Sequence, residues 1–167
     1  MTTGVTKAWV AAQATKASAP ILEGWKNGAL TGFVHGAPAN LKNKVSHWST
    51  RARWAKSWRE RTANALLPWR VGAGPIGPWP WSPYDPKRIH FTVFCRNPFD
   101  SAENLRLVCS AVKDALGPSG ARKVGVGIID DDRDSSGHVF TYEQITSRKA
   151  GAVFGIAIRI ALAKGAE

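Results

Sequence analysis

The stretch DSAENLRLVCSAVKDALGPSGARKVGVGIIDDD, residues 100–132, decides how this chain is read. Its first half is amphipathic at helical spacing and predicts a helix from about Ala102 to Leu116, ended by Gly117-Pro118. Its second half, Lys123–Ile129, is an apolar run that predicts a strand, and Asp130, Asp131 and Asp132 follow directly on it. Seven of the chain's twelve carboxylates lie between Asp100 and Asp134. A basic protein that gathers its acids into two clusters needs something to hold like charges together. A divalent metal working on a phosphate backbone is the strongest reason available.

Counting along the helix sharpens this reading. Ser110 and Asp114 project from nearly the same face as Glu103, and Arg106 lies one turn ahead. Asp100 stands where the preceding strand, Ile89–Cys95, meets the helix. If the strand before Asp130–Asp132 runs beside the helix N-terminus, four or five carboxylates converge. Such a cluster repels itself unless it is protonated or neutralised. Mg²⁺ suits it, because that ion takes oxygen ligands, keeps waters and needs only one or two carboxylates from each side. Other readings of the same residues are plain: Asp130–Asp134 as a solvated turn, Asp100 as a helix cap, Asp114 as a salt-bridge partner. An EF-hand is excluded, since Ser135 stands where its glycine belongs and Thr141 where its last glutamate belongs.

Outward from this stretch, Leu30–His35 predicts a strand and Gly36–Asn40 a turn. Ser46 is placed to cap a helix from about His47 to Leu66, ended by Pro68. One face of that helix groups Trp48, Ala52, Ala55, Arg59, Thr62 and Leu66; Trp54, Trp58, Arg61 and Ala65 form a second stripe. The tryptophans read as core anchors or as part of a basic helix laid on phosphates. Pro68–Pro86 holds six prolines and predicts a long extended loop, its Trp79 and Trp81 serving as packing, an oligomer contact or a stacking platform. His138–Glu143 and Val153–Leu162 predict two further strands. The fold expected is α+β: a small mixed β-sheet packed with two principal helices, preceded by a flexible basic segment, 1–28. Residues 29–167 then form the domain, with 68–86 as an inserted loop.

Charge narrows the partners. Over 167 residues the formal charge is +11, and residues 1–84 hold eleven Lys and Arg against only Glu23 and Glu60. A polycationic half attracts nucleic acid or an anionic surface. No apolar run approaches the roughly 18 residues of a membrane span, and no signal peptide is visible at Met1, so no membrane attachment is expected. Cys95 and Cys109 sit in apolar runs, as reduced core thiols of a cytoplasmic protein do. His35, His47, His90 and His138 show no zinc-ligand spacing.

From Ala29 to Ile160 the chain resembles the RusA-like Holliday junction resolvases, particularly their divergent bacteriophage forms. The resemblance rests on Gly36-Ala37-Pro38-Ala39-Asn40-Leu41-Lys42-Asn43, on His47-Trp48 followed by Arg51, Trp58 and Arg59, and on Asp100-Ser101-Ala102-Glu103-Asn104-Leu105. It continues in Val112-Lys113-Asp114-Ala115-Leu116 and in Gly127-Ile128-Ile129-Asp130-Asp131-Asp132. It implies a homodimeric, Mg²⁺-dependent endonuclease (Mn²⁺ as a substitute) that binds four-way or other branched DNA and makes paired nicks. The residues it implies are Asp100, Glu103, Asp130 and Asp131 in catalysis, with Asp100, Glu103, Asp131 and Asp132 around the metal. Lys42, Lys44, His47, Arg51, Arg53, Lys56, Arg59 and Arg106 are those implied for DNA. The chain departs from the family where Glu103 replaces an aspartate and where Leu107 and Ser110 hold the positions of a functional lysine, with Arg106 as its substitute. That departure carries an alternative, a non-catalytic junction-binding protein on the same scaffold. A basic interaction or structural protein with a solvated Asp loop is the third.

Overall fold

The structure, a computed structural model, describes residues 21–26, 29–39, 47–70, 81–121, 124–133, 136–146 and 154–163. The described elements run β1 (Ile21–Lys26), β2 (Ala29–His35), α1 (Trp48–Arg70), β3 (Lys87–Cys95), α2 (Ala102–Leu116), β4 (Val139–Thr146) and β5 (Gly155–Leu162). The strands form one mixed sheet in the order β1-β2-β5-β3-β4. Only β3 and β4 pair in parallel; their neighbours pair antiparallel. Parallel strands cannot be joined by a hairpin, so the chain crosses over through α2 between them. That crossover sets α2 beside the edge strand β4.

Alternation along the strands sorts the core. Ile89, Phe91, Val93 and Cys95 of β3 share a face with Ile156, Ile158 and Ile160 of β5 and with Leu30 and Val34 of β2. They are buried in one cluster with Leu105, Val108, Cys109, Ala111, Val112 and Leu116 of α2 and with Trp58, Ala63, Ala65 and Leu66 of α1. Both helices therefore cover the same side of the sheet. Phe33, Phe94 and Ala157 form a smaller cluster on the other side. The α+β expectation holds at this level: a mixed sheet with two principal helices. Trp58 is buried and Trp54 packs beside it, ring centroids 5.6 Å apart, so these two anchor α1 as core residues.

α2 begins and ends where the sequence places it. Ser101 caps it by accepting from the Asn104 amide at 3.2 Å, and Glu103 in its first turn and Lys113 in its last both suit the helix dipole.

Three elements differ from expectation. Ile21–Lys26 is a strand paired with β2, although it falls inside the segment expected to be flexible. The overlooked signal is Asn27-Gly28, the dipeptide that two-residue hairpins favour. Helix α1 runs through Pro68 to Arg70 instead of stopping before it. Near a helix end the lost donor costs little, since Asn64, whose carbonyl loses it, is exposed to water.

The third difference matters most. The residues 124–129 form no strand. The amides of Val126, Gly127, Ile128 and Ile129 donate to the carbonyls of Ala115, Gly117 and Leu116 at 2.8–3.1 Å. The last carbonyls of a helix lack intrahelical partners, and this run satisfies them. Gly127 has φ +69°, which breaks any extended path, and Val126, Ile128 and Ile129 are buried all the same. Burial gave the run its strand-like composition; its hydrogen bonds belong to the helix end. Gly125 makes the approach possible, since a Cβ there would collide with the Gly117 carbonyl and stand 2.8 Å from that of Pro118. Gly125→Ala is expected to destabilise the protein by roughly 2–3 kcal/mol, read as a lower urea midpoint with an unchanged slope.

Candidate functional site

Because residues 126–129 dock on the C-terminal end of α2, the Asp run is delivered there and not beside Glu103. Asp114, Gly117, Pro118, Asp130, Asp131, Asp132 and Arg133 line a depression of about 220 Å³. A second, longer groove of about 440 Å³ follows the outer face of α2 against β4. Glu103, Arg106, Leu107, Ser110, Lys113, Asp114, Asp132, Phe140 and Tyr142 line it. Asp114 and Asp132 belong to both. Glu103 and Asp114 stand eleven residues apart on one helix, or roughly 16 Å along its axis. Glu103 and Asp132 thus line the same groove, and Asp114, which Asp132 accompanies in both depressions, stands at the far end of the helix face from Glu103.

Each carboxylate has its own circumstances. At the N-terminal end, Asp100 accepts a hydrogen bond from the Asn104 amide nitrogen, Nδ2. Among the described residues the buried Asn104 Oδ1 has no donor. At the C-terminal end Arg59 of α1 donates to Asp114 at 3.3 Å, tying the basic helix to the depression. Asp131 accepts from the Arg133 amide at 3.1 Å and lies 3.3 Å from its Nε. Asp132 has no hydrogen bond or ion pair among the described residues.

Asp130 is held differently. The Lys87 amide donates to Nδ1 of His138 at 3.2 Å, which leaves the neutral ring its proton on Nε2, 2.9 Å from Asp130 Oδ1. His138 is buried, and its hydrogen bond holds the Asp130 carboxyl below the usual carboxylate range. A depressed carboxylate contributes stability that is full above its unfolded pKa, about 3.9, and is lost as pH falls through the folded value. Asp130→Ala is expected to cost about 1–3 kcal/mol by stranding the buried Nε2–H, and to flatten the acid limb of stability below about pH 4. Thermal melts of wild type and variant across that range check both.

The cations expected to meet phosphates are spread over two elements. His47 is exposed just before α1, Arg51, Arg53 and Lys56 are exposed on it, and Lys56 lies 3.8 Å from Glu60. Arg59 is turned into its pair with Asp114. Arg106 stands over the Tyr142 ring at 5.9 Å, and Lys113 over the Phe140 ring at 4.1 Å. Lys42, Lys44, Ser46, Trp79 and Asp134 lie outside the described residues. Trp81 packs partly buried against the core. Leu107 and Ser110 face the groove, and the Ser110 hydroxyl donates to the Leu107 carbonyl at 2.7 Å.

Lys113, Phe140, Tyr142, Lys87 and His138 are the site's contributors that sequence reasoning missed. The i, i+2 spacing of Phe140 and Tyr142 places both rings on one face of β4, a signal that was legible; the His138 pairing is long-range and was not.

Among the described residues no three His, Cys, Asp or Glu side chains stand together as ligands for one ion. A Mg²⁺ ion asks less, because it is commonly held by one or two carboxylates and its own waters. Asp132, without a partner among the described residues, and Asp114, which lines the same two depressions, meet that need at the negative end of the α2 dipole. No helix of the described residues is long and apolar enough to cross a membrane. Compared with known protein families, curated proteins and solved structures, the chain matches none.

Proposed function

We propose that the protein is a Mg²⁺-dependent endonuclease of branched DNA, built on a RusA-like scaffold and working as a homodimer. The observation that carries this reading is that Asp114 and Asp132 line both depressions, with Arg59 of α1 paired to Asp114 and Arg106 and Lys113 of α2 lining the groove. Asp132 and Asp114 would hold the ion, and Asp131 stands beside them. The bound ion would supply an activated water and charge stabilisation at the scissile phosphate. Arg59 fixes the Asp114 carboxylate, and His138 fixes Asp130 and with it the start of the Asp run. Arg106 and Lys113 offer cations to the strand lying in the groove. Glu103 and Asp100 lie too far along α2 to share that ion and are assigned to positioning the substrate. A two-fold junction calls for two equivalent sites, which a symmetric dimer provides.

A second reading, junction binding without cleavage, is favoured by one observation: the paired acids of the motif and the Asp run sit at opposite ends of α2. Nicking of a synthetic four-way junction in Mg²⁺ or Mn²⁺ separates the two. Cleavage that is abolished by a chelator supports the nuclease. Tight binding without cleavage supports the second reading. Either way binding should weaken steeply with salt, because several phosphates are neutralised; a salt-insensitive association would remove both.

A further inference from the structure

Trp48 is the anomaly of α1. It stands five helical turns of about 3.6 residues from Leu66, on the same side of the helix. Leu66 is 1% exposed, whereas Trp48 is 74% exposed. Ala55, Thr62 and Leu66 continue the stripe into the core, but around Trp48 the neighbours Arg51, Ala52 and Arg53 are all open to solvent. One helix face is thus packed at one end and uncovered at the other. An exposed indole is costly to leave in water, by about 25 cal/mol per Å² of apolar surface. Its surroundings say what would cover it. Arg51 lies one turn ahead of it, Arg53 and Lys56 follow further along the helix, the nearest acid of α1 is Glu60, and the His47 ring lies 5.5 Å from the indole, tilted by 39°. An exposed aromatic on a basic stretch of helix is unsuited to a second copy of the same +11 chain, which would bring like charge to it. It suits a polyanion that carries flat apolar faces of its own.

We infer that Trp48 is a base-stacking residue: it takes the face of an unpaired or terminal nucleobase while Arg51, Arg53 and Lys56 hold the flanking phosphates. This rests on the DNA reading above and adds to it the place on the protein where the branch point is met. Duplex DNA hides its base faces, and a junction or single strand exposes them, so the site favours branched or single-stranded substrates over plain duplex.

The test uses the full-length protein, a four-way junction with 2-aminopurine at its branch point, and a single-stranded oligonucleotide. Stacking on the indole quenches the 2-aminopurine emission. Trp48→Ala is expected to weaken binding of both by about tenfold or more and to abolish the quench. Trp48→Phe, which keeps a ring, is expected to restore most of the affinity. The salt dependence of Trp48→Ala should match that of wild type, whereas Arg51→Ala should reduce the slope by about one. Because Trp48 is exposed, its replacement leaves the core intact, and a circular-dichroism melt checks this. Wild-type affinity and quench in Trp48→Ala would overturn the inference while the DNA reading stands. A Trp48→Ala protein whose changed property is its sedimentation, with DNA binding kept, would assign the face to a second copy and overturn it too. Wild-type protein that binds neither nucleic acid would overturn both.

Discussion

Asp132→Asn is expected to lower Mg²⁺-dependent nicking of a four-way junction by about a hundredfold or more, with little change in melting temperature. The two halves of that result have separate causes. Asp132 makes no hydrogen bond or ion pair among the described residues, so little loss of stability is expected when its charge is removed. Its place on both the groove and the depression makes it the carboxylate best positioned to hold an ion beside a bound strand. Glu103→Gln is the informative companion. Glu103 stands roughly 16 Å along α2 from Asp114, too far to share an ion that Asp114 helps to hold, so its loss should be less than about tenfold. A larger loss for Glu103→Gln than for Asp132→Asn would move the reaction centre to the N-terminal end of the helix. Asp114→Asn is a less clean probe, because it also breaks the Arg59 pair that links the two helices.

The second large effect concerns stability. Lys87→Ala is expected to destabilise the protein by about 3 kcal/mol or more, enough to depress the urea midpoint severely. Lys87 opens β3 and is fully buried, yet it carries an ammonium. Its Nζ donates to the carbonyls of Ser82, Asp85 and Pro83 at 2.6, 2.8 and 3.3 Å, gathering the turn before the strand around one cation. Burial pushes the lysine below its usual range, and the charges of Asp85 and Asp130 partly oppose that shift. Truncation would leave a cavity and carbonyls without a donor. Lys87→Met keeps most of the volume and loses only the donors, so the difference between the two variants measures the packing term. The same residue reaches the site through its amide, which fixes His138 and, through it, Asp130.

How much of this was legible in the sequence depends on whether the signal is local. α2 was read with both boundaries as observed, because its apolar spacing, Ser101 cap and Gly117-Pro118 stop are all written within the segment itself. β2, β3 and β5 were read within two residues for the same reason. The run 124–129 was misread because an apolar stretch has the same composition whether its amides face a strand or a helix end. Only the tertiary contact with Ala115, Leu116 and Gly117 distinguishes the two. That one error carried over to the site. Counting faces along α2 correctly aligned Glu103 with Asp114, but periodicity does not say which end of a helix a returning chain will meet. Of the acids named from sequence, Glu103, Asp114 and Asp132 line one groove, Asp130 and Asp131 line only the adjoining depression, and Asp100 lines neither. His138 was dismissed for lacking ligand spacing, and its role is to orient a carboxylate across the turn from Lys87, a partnership no local pattern encodes.

The proposed ion sits where the Asp run meets the C-terminal end of α2. A crystal grown with Mn²⁺ and measured for anomalous scattering tests it most directly. One anomalous peak is expected, coordinated by Asp132, with Asp114 or Asp131 beside it. A peak at Asp100 and Glu103, or none near any of these carboxylates at millimolar Mn²⁺, would contradict it.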